Sequence, residues 1–361
     1  MTRSADNEHR LHDRIDERDI MFSRAERKRG TAPYGDFYTR RPELKERDDR
    51  IRQLTPLFQP GGKFYDPKIT SRAGKYFDSI DDLTPEANVL QKWESNFCTE
   101  KNHTEAIKRL AIELGAVAVG CCELNEKYIY THKGRFDRDY GRIVSLTHCN
   151  AIVFLVEMDF DRMQHAPHAK TLYESARQYH HAARIAKSME AILINAGHSA
   201  RAHYDAHYDI ILPPLAVLSG LGEVGRNNIL IADSYGSRVR IGAVTTDMYL
   251  NFDKPCSLGV QNFCSVCLKC AENCPSRALS KNGKERIRGI AKWPTNVEQC
   301  YTLWRMYGTD CGICMASCPF SHRNTLFHKI VRWGVKRFPR FHKILFQMDN
   351  LFYGRKWNPR D

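Results

Sequence analysis

The run Phe263-Cys-Ser-Val-Cys-Leu-Lys-Cys-Ala-Glu-Asn-Cys-Pro275 sets four cysteines at spacings of two, two and three residues, with proline after the last. Three thiolates so spaced on a tight turn converge on one iron–sulfur cubane, while the cysteine before proline turns away and serves a neighbouring cluster. A second run, Cys300-x10-Cys311-x2-Cys314-x3-Cys318-Pro319, repeats the motif. It departs from the ferredoxin spacing, because ten residues, Trp304 and Tyr307 among them, separate its first two ligands. Zinc also accepts four thiolates, but a triple C-x2-C-x2-C ladder ending in Cys-Pro reads as paired [4Fe–4S] clusters. On that pattern Cys264, Cys267, Cys270 and Cys318 hold one cluster, and Cys274, Cys300, Cys311 and Cys314 hold the other. Clusters paired in this way conduct electrons, so the module is a wire that needs an end.

Outward from the motifs, the chain carries thirteen cysteines, and nine of them fall between Cys256 and Cys318. Concentration of that kind points to metal rather than to disulfides. Cys98, Cys121, Cys122, Cys149 and Cys256 are expected to be core or incidental thiols. The 361 residues are 42% hydrophobic and 27% charged, a globular composition. No apolar run reaches the roughly 18–20 residues of a membrane-spanning helix; the best, Ile210 to Leu221, is broken by Pro213 and Pro214. The amino-terminal stretch has no apolar core of an export signal. Arg40-Arg41 runs into charged sequence and does not read as a twin-arginine signal. A cytoplasmic location is expected. The net charge is +13, and Ser321–Asp361 alone holds ten Lys/Arg against two acidic residues. Such a tail suits an acidic protein, a phosphate-bearing cofactor, a nucleic acid or an anionic membrane surface.

Before the clusters the pattern turns regular at about Thr104. Ala106, Leu110, Ala111 and Leu114 fit one face of a helix. Gly115–Gly120 and Asn150–Glu157 read as buried strands. A long helix is predicted from Thr171 to Asn195, with Gly197 just beyond it, and another helix after Pro214. Asn228–Ala232 and Val239–Thr245 complete the strand-like runs. Alternation of this kind gives a layered α/β or α+β domain. The predicted division is a wrapping segment over 1–100, a catalytic domain over 101–255, a ferredoxin-like two-cluster module over 256–325 and a basic aromatic tail over 326–361. Within the second, Gly220-Leu-Gly-Glu-Val-Gly225 matches the G-x-G-x-x-G of dinucleotide sites. Pro213-Pro214 and a helical lead-in stand where that motif needs a strand, which argues against a nicotinamide cofactor.

The order Ala216–Ile231, Tyr235-Gly-Ser-Arg-Val-Arg240 and Thr245-Thr-Asp247, leading into Phe263-Cys264, resembles the catalytic subunit of cobalamin-dependent reductive dehalogenases. Arg14–Asp19, Pro42–Arg50 and Tyr353–Lys356 are similar to that family too, so the resemblance covers nearly the whole chain. Epoxyqueuosine reductases share the Gly-rich segment and the clusters. The resemblance implies a nitroreductase-like domain holding cobalamin, with the clusters passing electrons to cobalt and a tyrosine supplying a proton. That phenol needs a nearby cation to stabilise the phenolate. The matching positions are Tyr179, with Tyr173 six residues away on the same helix, and Arg238 or Arg240. Gly220, Gly222 and Gly225 would let backbone approach the corrin or its nucleotide tail, and Arg226 would suit the tail phosphate. Asp205-Ala-His207 begins like D-x-H-x-x-G, which places a histidine beneath cobalt, but Ile210 occupies the glycine position. Asp205, His207 and Tyr208 are therefore expected on the substrate side of the cofactor pocket. The tail, with Trp333, Phe338, Phe341, Phe346, Phe352 and Trp357, is expected to close over the cofactor or to meet a membrane surface.

The family's respiratory members carry a twin-arginine signal and others a fused flavin reductase, so this chain is expected to draw on a separate donor (ferredoxin, flavodoxin or a reductase). The leading expectation is reductive removal of halide from an organohalide. The alternative is an epoxyqueuosine-type reductase acting on tRNA, for which the positive charge is suited. A third possibility is a non-catalytic electron carrier, but a carrier needs no such long chain before its clusters.

Overall fold

The computed structural model describes residues 14–85, 91–93 and 102–360; Cys98 lies outside them. Three short helices open the described chain: α1 (Met21–Ala25), α2 (Ala32–Arg40) and α3 (Pro42–Gln53). Helix α4 (Pro67–Asp78) follows, capped by the Asp66 side chain on the Ile69 amide. Helix α5 (His103–Glu113) leads into strands β1 (Ala118–Glu123) and β2 (Asn150–Glu157). Gly115, at φ 106°, ends that helix, and the Ala116 amide bonds back to the Ala111 carbonyl. This turn starts the strand three residues later than the apolar run alone suggests.

The long helix α6 (Ala169–Asn195) is two residues longer at its start than predicted. It presents Ala176, Ala183, Ala186, Met189 and Ile192 to the core. Strand β3 (Ala200–His203) and helix α7 (Leu212–Leu218) come next; Pro213 and Pro214 sit in the first turn of α7, where no amide donor is required. The predicted strand 228–232 is only a two-residue arm, β5 (Leu230–Ile231), paired with β4 (Glu223–Val224). Strand β6 (Val239–Thr246) completes the main sheet, whose order is β1-β2-β6-β3 with every neighbour antiparallel.

Strand β2 lies inside the sheet and is buried on both faces, and its alternation divides the core. Ile152, Phe154 and Val156 join Ile107, Ala183 and Met189 in one layer. Ala151, Val153 and Leu155 join Leu215 and Ala216 in the other. The domain is therefore three layers, α6 with α5 on one face and α7 on the other.

After β6 come α8 (Val260–Cys267) and α9 (Lys269–Glu272), then the hairpin β7 (Glu285–Ile287) and β8 (Ile290–Lys292). Helices α10 (Val297–Tyr307) and α11 (Ile313–Ala316) carry the second motif, and α12 (Leu326–Arg337) and α13 (His342–Tyr353) form the tail. The amino-terminal segment ties the two parts together. Arg24 pairs with buried Asp48 at 2.6 Å and with Glu298 of α10 at 3.1 Å, and Tyr301 of α10 donates to Glu26 at 2.8 Å. Among the described residues no helix is long and apolar enough to cross a membrane.

Candidate cofactor cavity and cluster sites

The cysteine ladders owe their shape to left-handed residues at their turns. Leu268, at φ 54°, separates α8 from α9, and Cys311 and Gly312, at 57° and 73°, precede α11. Cys264, Cys267, Cys270 and Cys318 line one small cavity with Phe263 and Phe320. The partner from the distant motif thus stands where the spacing expects it. In the other set, the thiol of Cys311 senses those of Cys300 and Cys274, and Cys314 senses all three. Burial raises the thiol of Cys300 to about 11 and those of Cys311 and, in the first set, Cys318 to about 12. Iron must displace those protons, so cluster assembly and folding of the module are linked. Cys314 also senses Cys270, which sets the two quartets side by side. The sets are those of clusters, and their donor chemistry, four thiols each, fits [4Fe–4S].

A cavity of about 900 Å³ lies where the sheet domain, the amino-terminal segment and α10 meet. It is near the upper end for small-molecule sites, at roughly 300–1,000 Å³, and its wall is mostly aromatic and aliphatic. Phe22, Phe58 and Phe77 come from the amino-terminal segment, Tyr179 from α6, Ile241 from β6 and Trp304 from α10. Such a wall fits the flat, largely apolar face of a corrin. The second cluster's neighbours reach it directly, because Trp304 and Asp310 are lining residues and Asp310 precedes Cys311.

Tyr179 stands beneath Arg240, whose guanidinium carbon is 4.6 Å from the ring centroid. Burial pushes the phenol above its ordinary value, and the Arg240 charge opposes that shift. Arg240 is held by hydrogen bonds to Ser175 and, at 3.3 Å, to Asp310. Its Nε and one Asp310 oxygen remain without a protein partner. Arg238 is placed elsewhere. Fully buried just before β6, it donates to the Ser321 carbonyl at 2.7 Å, the Met158 carbonyl at 2.6 Å and Glu157 at 2.9 Å. It clamps the sheet to the cluster module and does not line the cavity. Tyr173 is also outside the lining; its hydroxyl is 3.4 Å from that of Tyr76, and Arg72 and Arg162 flank its ring.

Asp205, His207 and Tyr208 do line the cavity, on a turn where Ala206 takes φ 61°. His207 is bonded to Asp81 at 2.7 Å, and its ring lies tilted against those of Phe136 and Tyr204. Burial lowers its pKa, against the pull of Asp81.

The Gly-rich loop is placed differently from the expectation. A Cβ on Gly220 would meet the Lys254 carbonyl at 2.6 Å, and one on Gly222 the Ile231 carbonyl at 2.3 Å. On Gly225 it would meet the Ile231 side chain at 2.5 Å. Gly220 and Gly222 let backbone pack on backbone, Gly225 makes room for the Ile231 side chain, and none of the three lines the cavity. Arg226 is buried and donates to the carbonyls of Cys264, Ser280 and Asn282 at 2.8–3.0 Å. It serves the first quartet's loop. The loop reaches the cavity only further on, through Asn228, Ile229 and Leu230. The tail residues Leu345, Phe346 and Val335 pack on Phe263 and Cys264, and among the described residues none beyond Ser321 lines the cavity.

Arg135, Asp310 and Ser175 escaped the sequence reading. Asp310 had a signal in its position next to Cys311. Arg135 had one in Gly134, where a Cβ would fall 2.4 Å from the backbone of Arg18. In the cavity the charges of Tyr208 and Asp205 raise the Arg135 pKa against the lowering effect of burial.

A family model described as a 4Fe–4S dicluster domain matches residues 263–322. The tetrachloroethene reductive dehalogenase of Desulfitobacterium hafniense is 26% identical over 290 residues, covering 67% of this chain and 52% of that protein. An epoxyqueuosine reductase of Lactococcus garvieae is 28% identical over 165 residues, covering 42% of this chain and 44% of that protein. The solved catabolic reductive dehalogenase NpRdhA, in complex with 3-bromo-4-hydroxybenzoic acid, superposes with a TM-score of 0.74 at 26% identity. That match covers 95% of this chain and 46% of the other. The chain spans about half the length of the dehalogenases it matches. In sequence, in fold and in its two-cluster module, this chain is similar to the reductive dehalogenases.

Proposed function

We propose that the chain is the catalytic part of a reductive dehalogenase that replaces the halide of an organohalide with hydrogen. One observation carries the reading: Tyr179 and Arg240 are paired in the wall of a large cavity that the second cluster's neighbours also reach. The reaction needs two electrons and one proton for each halide released. Cobalamin, the cofactor of the dehalogenases this chain resembles, supplies when bound a low-valent cobalt able to break a carbon–halogen bond. The residues that would hold it are the aromatic walls, Asn228–Leu230 and the Asp205–His207 turn. Tyr179 gives its proton to the carbon that has lost halide, and Arg240 stabilises the resulting phenolate. Ser175 and Asp310 hold that guanidinium in place.

In this reading the chain acts in the cytoplasm and takes electrons from a separate carrier. Its twelve described cysteines are all free, which suits a reducing compartment. The four-part division at 100, 255 and 325 follows the same reading. The tail supports peripheral membrane contact, because Leu326, Ile330 and Trp333 on α12 and Ile344, Met348 and Leu351 on α13 form two exposed apolar stripes among basic residues.

The test is halide release by the anaerobically reconstituted chain from a panel of halophenols and haloalkanes, run beside an epoxyqueuosine-tRNA assay. Halide release that Tyr179→Phe abolishes supports the proposal. Turnover of the tRNA alone, or undiminished release by the variant, overturns it.

A further inference from the structure

Between the two cysteine motifs the chain leaves the module to form the hairpin β7–β8. Over Lys281–Lys292 it carries Lys281, Lys284, Arg286, Arg288 and Lys292 against the single acid Glu285. All five cations are exposed, and among the described residues none is in a salt bridge. Although Glu272 senses Lys281, charge of one sign gathered on one small element costs self-repulsion and favours an oppositely charged partner.

The base of the hairpin is tied to the first quartet. Arg226 joins the Cys264 carbonyl to those of Ser280 and Asn282, and Asn228 donates to the Trp293 carbonyl at 2.8 Å. Trp293 packs in the same core as Cys264, Cys267 and Cys318, with Arg226 and Lys284 over its ring at 4.9 and 4.6 Å. The second quartet, by contrast, adjoins the cavity through Trp304 and Asp310. The first quartet is therefore the outer end of the wire, and the cationic hairpin stands over it.

We propose that hairpin β7–β8 is the docking site of an acidic electron-carrier protein that reduces the first cluster. In each encounter the carrier's reduced centre loses one electron and the oxidised cluster gains it, with no proton or atom exchanged. The surface favours a protein over its alternatives. Single-stranded nucleic acid binds on exposed aromatic platforms, and the hairpin's aromatic neighbour, Trp293, is buried. A bilayer needs an apolar face, and among the large side chains of β7 and β8 only Ile290 is an exposed hydrophobic.

The test uses the full chain with both clusters in place and no organohalide, so it stands apart from the dehalogenation reading. Bleaching of the clusters' visible absorption is followed by stopped flow, with reduced acidic [2Fe–2S] ferredoxin or with Ti(III) citrate. Reversing three cations (Lys281→Glu, Arg286→Glu, Lys292→Glu) is expected to lower the second-order rate with ferredoxin by about 10- to 100-fold, and the wild-type rate to fall steeply with salt. The Ti(III) rate should not change. The proposal is overturned by an unchanged ferredoxin rate, by an equal loss with Ti(III), or by the same loss in a tail variant (Lys336→Glu, Lys343→Glu) with the hairpin intact. Competition for the hairpin by single-stranded RNA without a ferredoxin effect would also overturn it.

Discussion

The cluster module and the cavity are adjacent, yet they are assembled over different ranges of the chain. Cys264, Cys267, Cys270 and Cys274 come from one short run, turned by Leu268 and closed by a proline. The cavity draws on Phe22, Phe77, Arg135, Tyr179, Asp205, Arg240 and Asp310, from nearly every part of the described chain. A defect in the module should thus remove a cofactor outright. A defect in the cavity wall should leave the cofactors in place and act on chemistry. Variants in the two regions test that contrast.

The largest effect should come from the module. Cys314 is half-buried and senses the other three thiols of its quartet. Cys314→Ser should lower bound iron from about eight to about four per chain, measured by iron and sulfide analysis. Halide release should stop with it, because the remaining cluster is the one farther from the cavity. Retention of about eight irons would break the ligand assignment.

Tyr179→Phe is expected to cut dehalogenation by about 10²–10⁴-fold while leaving iron content and corrinoid binding at wild-type levels. Loss of iron in this variant would show that the wall and the module are not separable.

The same contrast explains what could be read from sequence. A thiolate ladder is marked by its spacing, so the two cysteine quartets that the structure brings together were legible, and so was β2, whose unbroken apolar run matches its burial on both faces. The place of Tyr179 in the cavity wall was legible only through family resemblance, because an aromatic on a helix face carries no label of its own. The choice between Arg238 and Arg240 was not legible. Val239 begins the strand, and one residue earlier the chain is free to send Arg238 toward Glu157 and the Ser321 carbonyl. The Gly-rich loop misled for a related reason. Glycine marks close approach, and here the approaching group is the protein's own backbone at Ile231 and Lys254.

The two arginines offer a sharper form of the comparison. Arg238→Gln should destabilise the fold by roughly 2–3 kcal/mol, since Arg238 is buried while Glu157 still reaches water. Denaturant unfolding would measure it, with turnover per folded molecule little changed. Arg240→Gln should do the reverse, lowering turnover about a hundredfold with a smaller shift in the unfolding midpoint. Equal effects in both assays would remove the distinction between clamp and cation.

The smallest expected effect lies in the pH dependence of that turnover. Burial disfavours the Tyr179 phenolate and holds its pKa above the ordinary 10, with the Arg240 charge pulling it partly back. In its proposed role as donor Tyr179 therefore stays protonated through neutral pH, and activity should fall only on an alkaline limb above about pH 10. A raised phenol also lowers stability there: the folded state keeps a proton that the unfolded state releases, so stability declines as pH rises past the unfolded value. In Arg240→Gln the opposing charge is gone, so the limb of the residual activity should move to still higher pH. A limb that moved down, or stayed fixed, would mean that Arg240 does not act on the Tyr179 phenol.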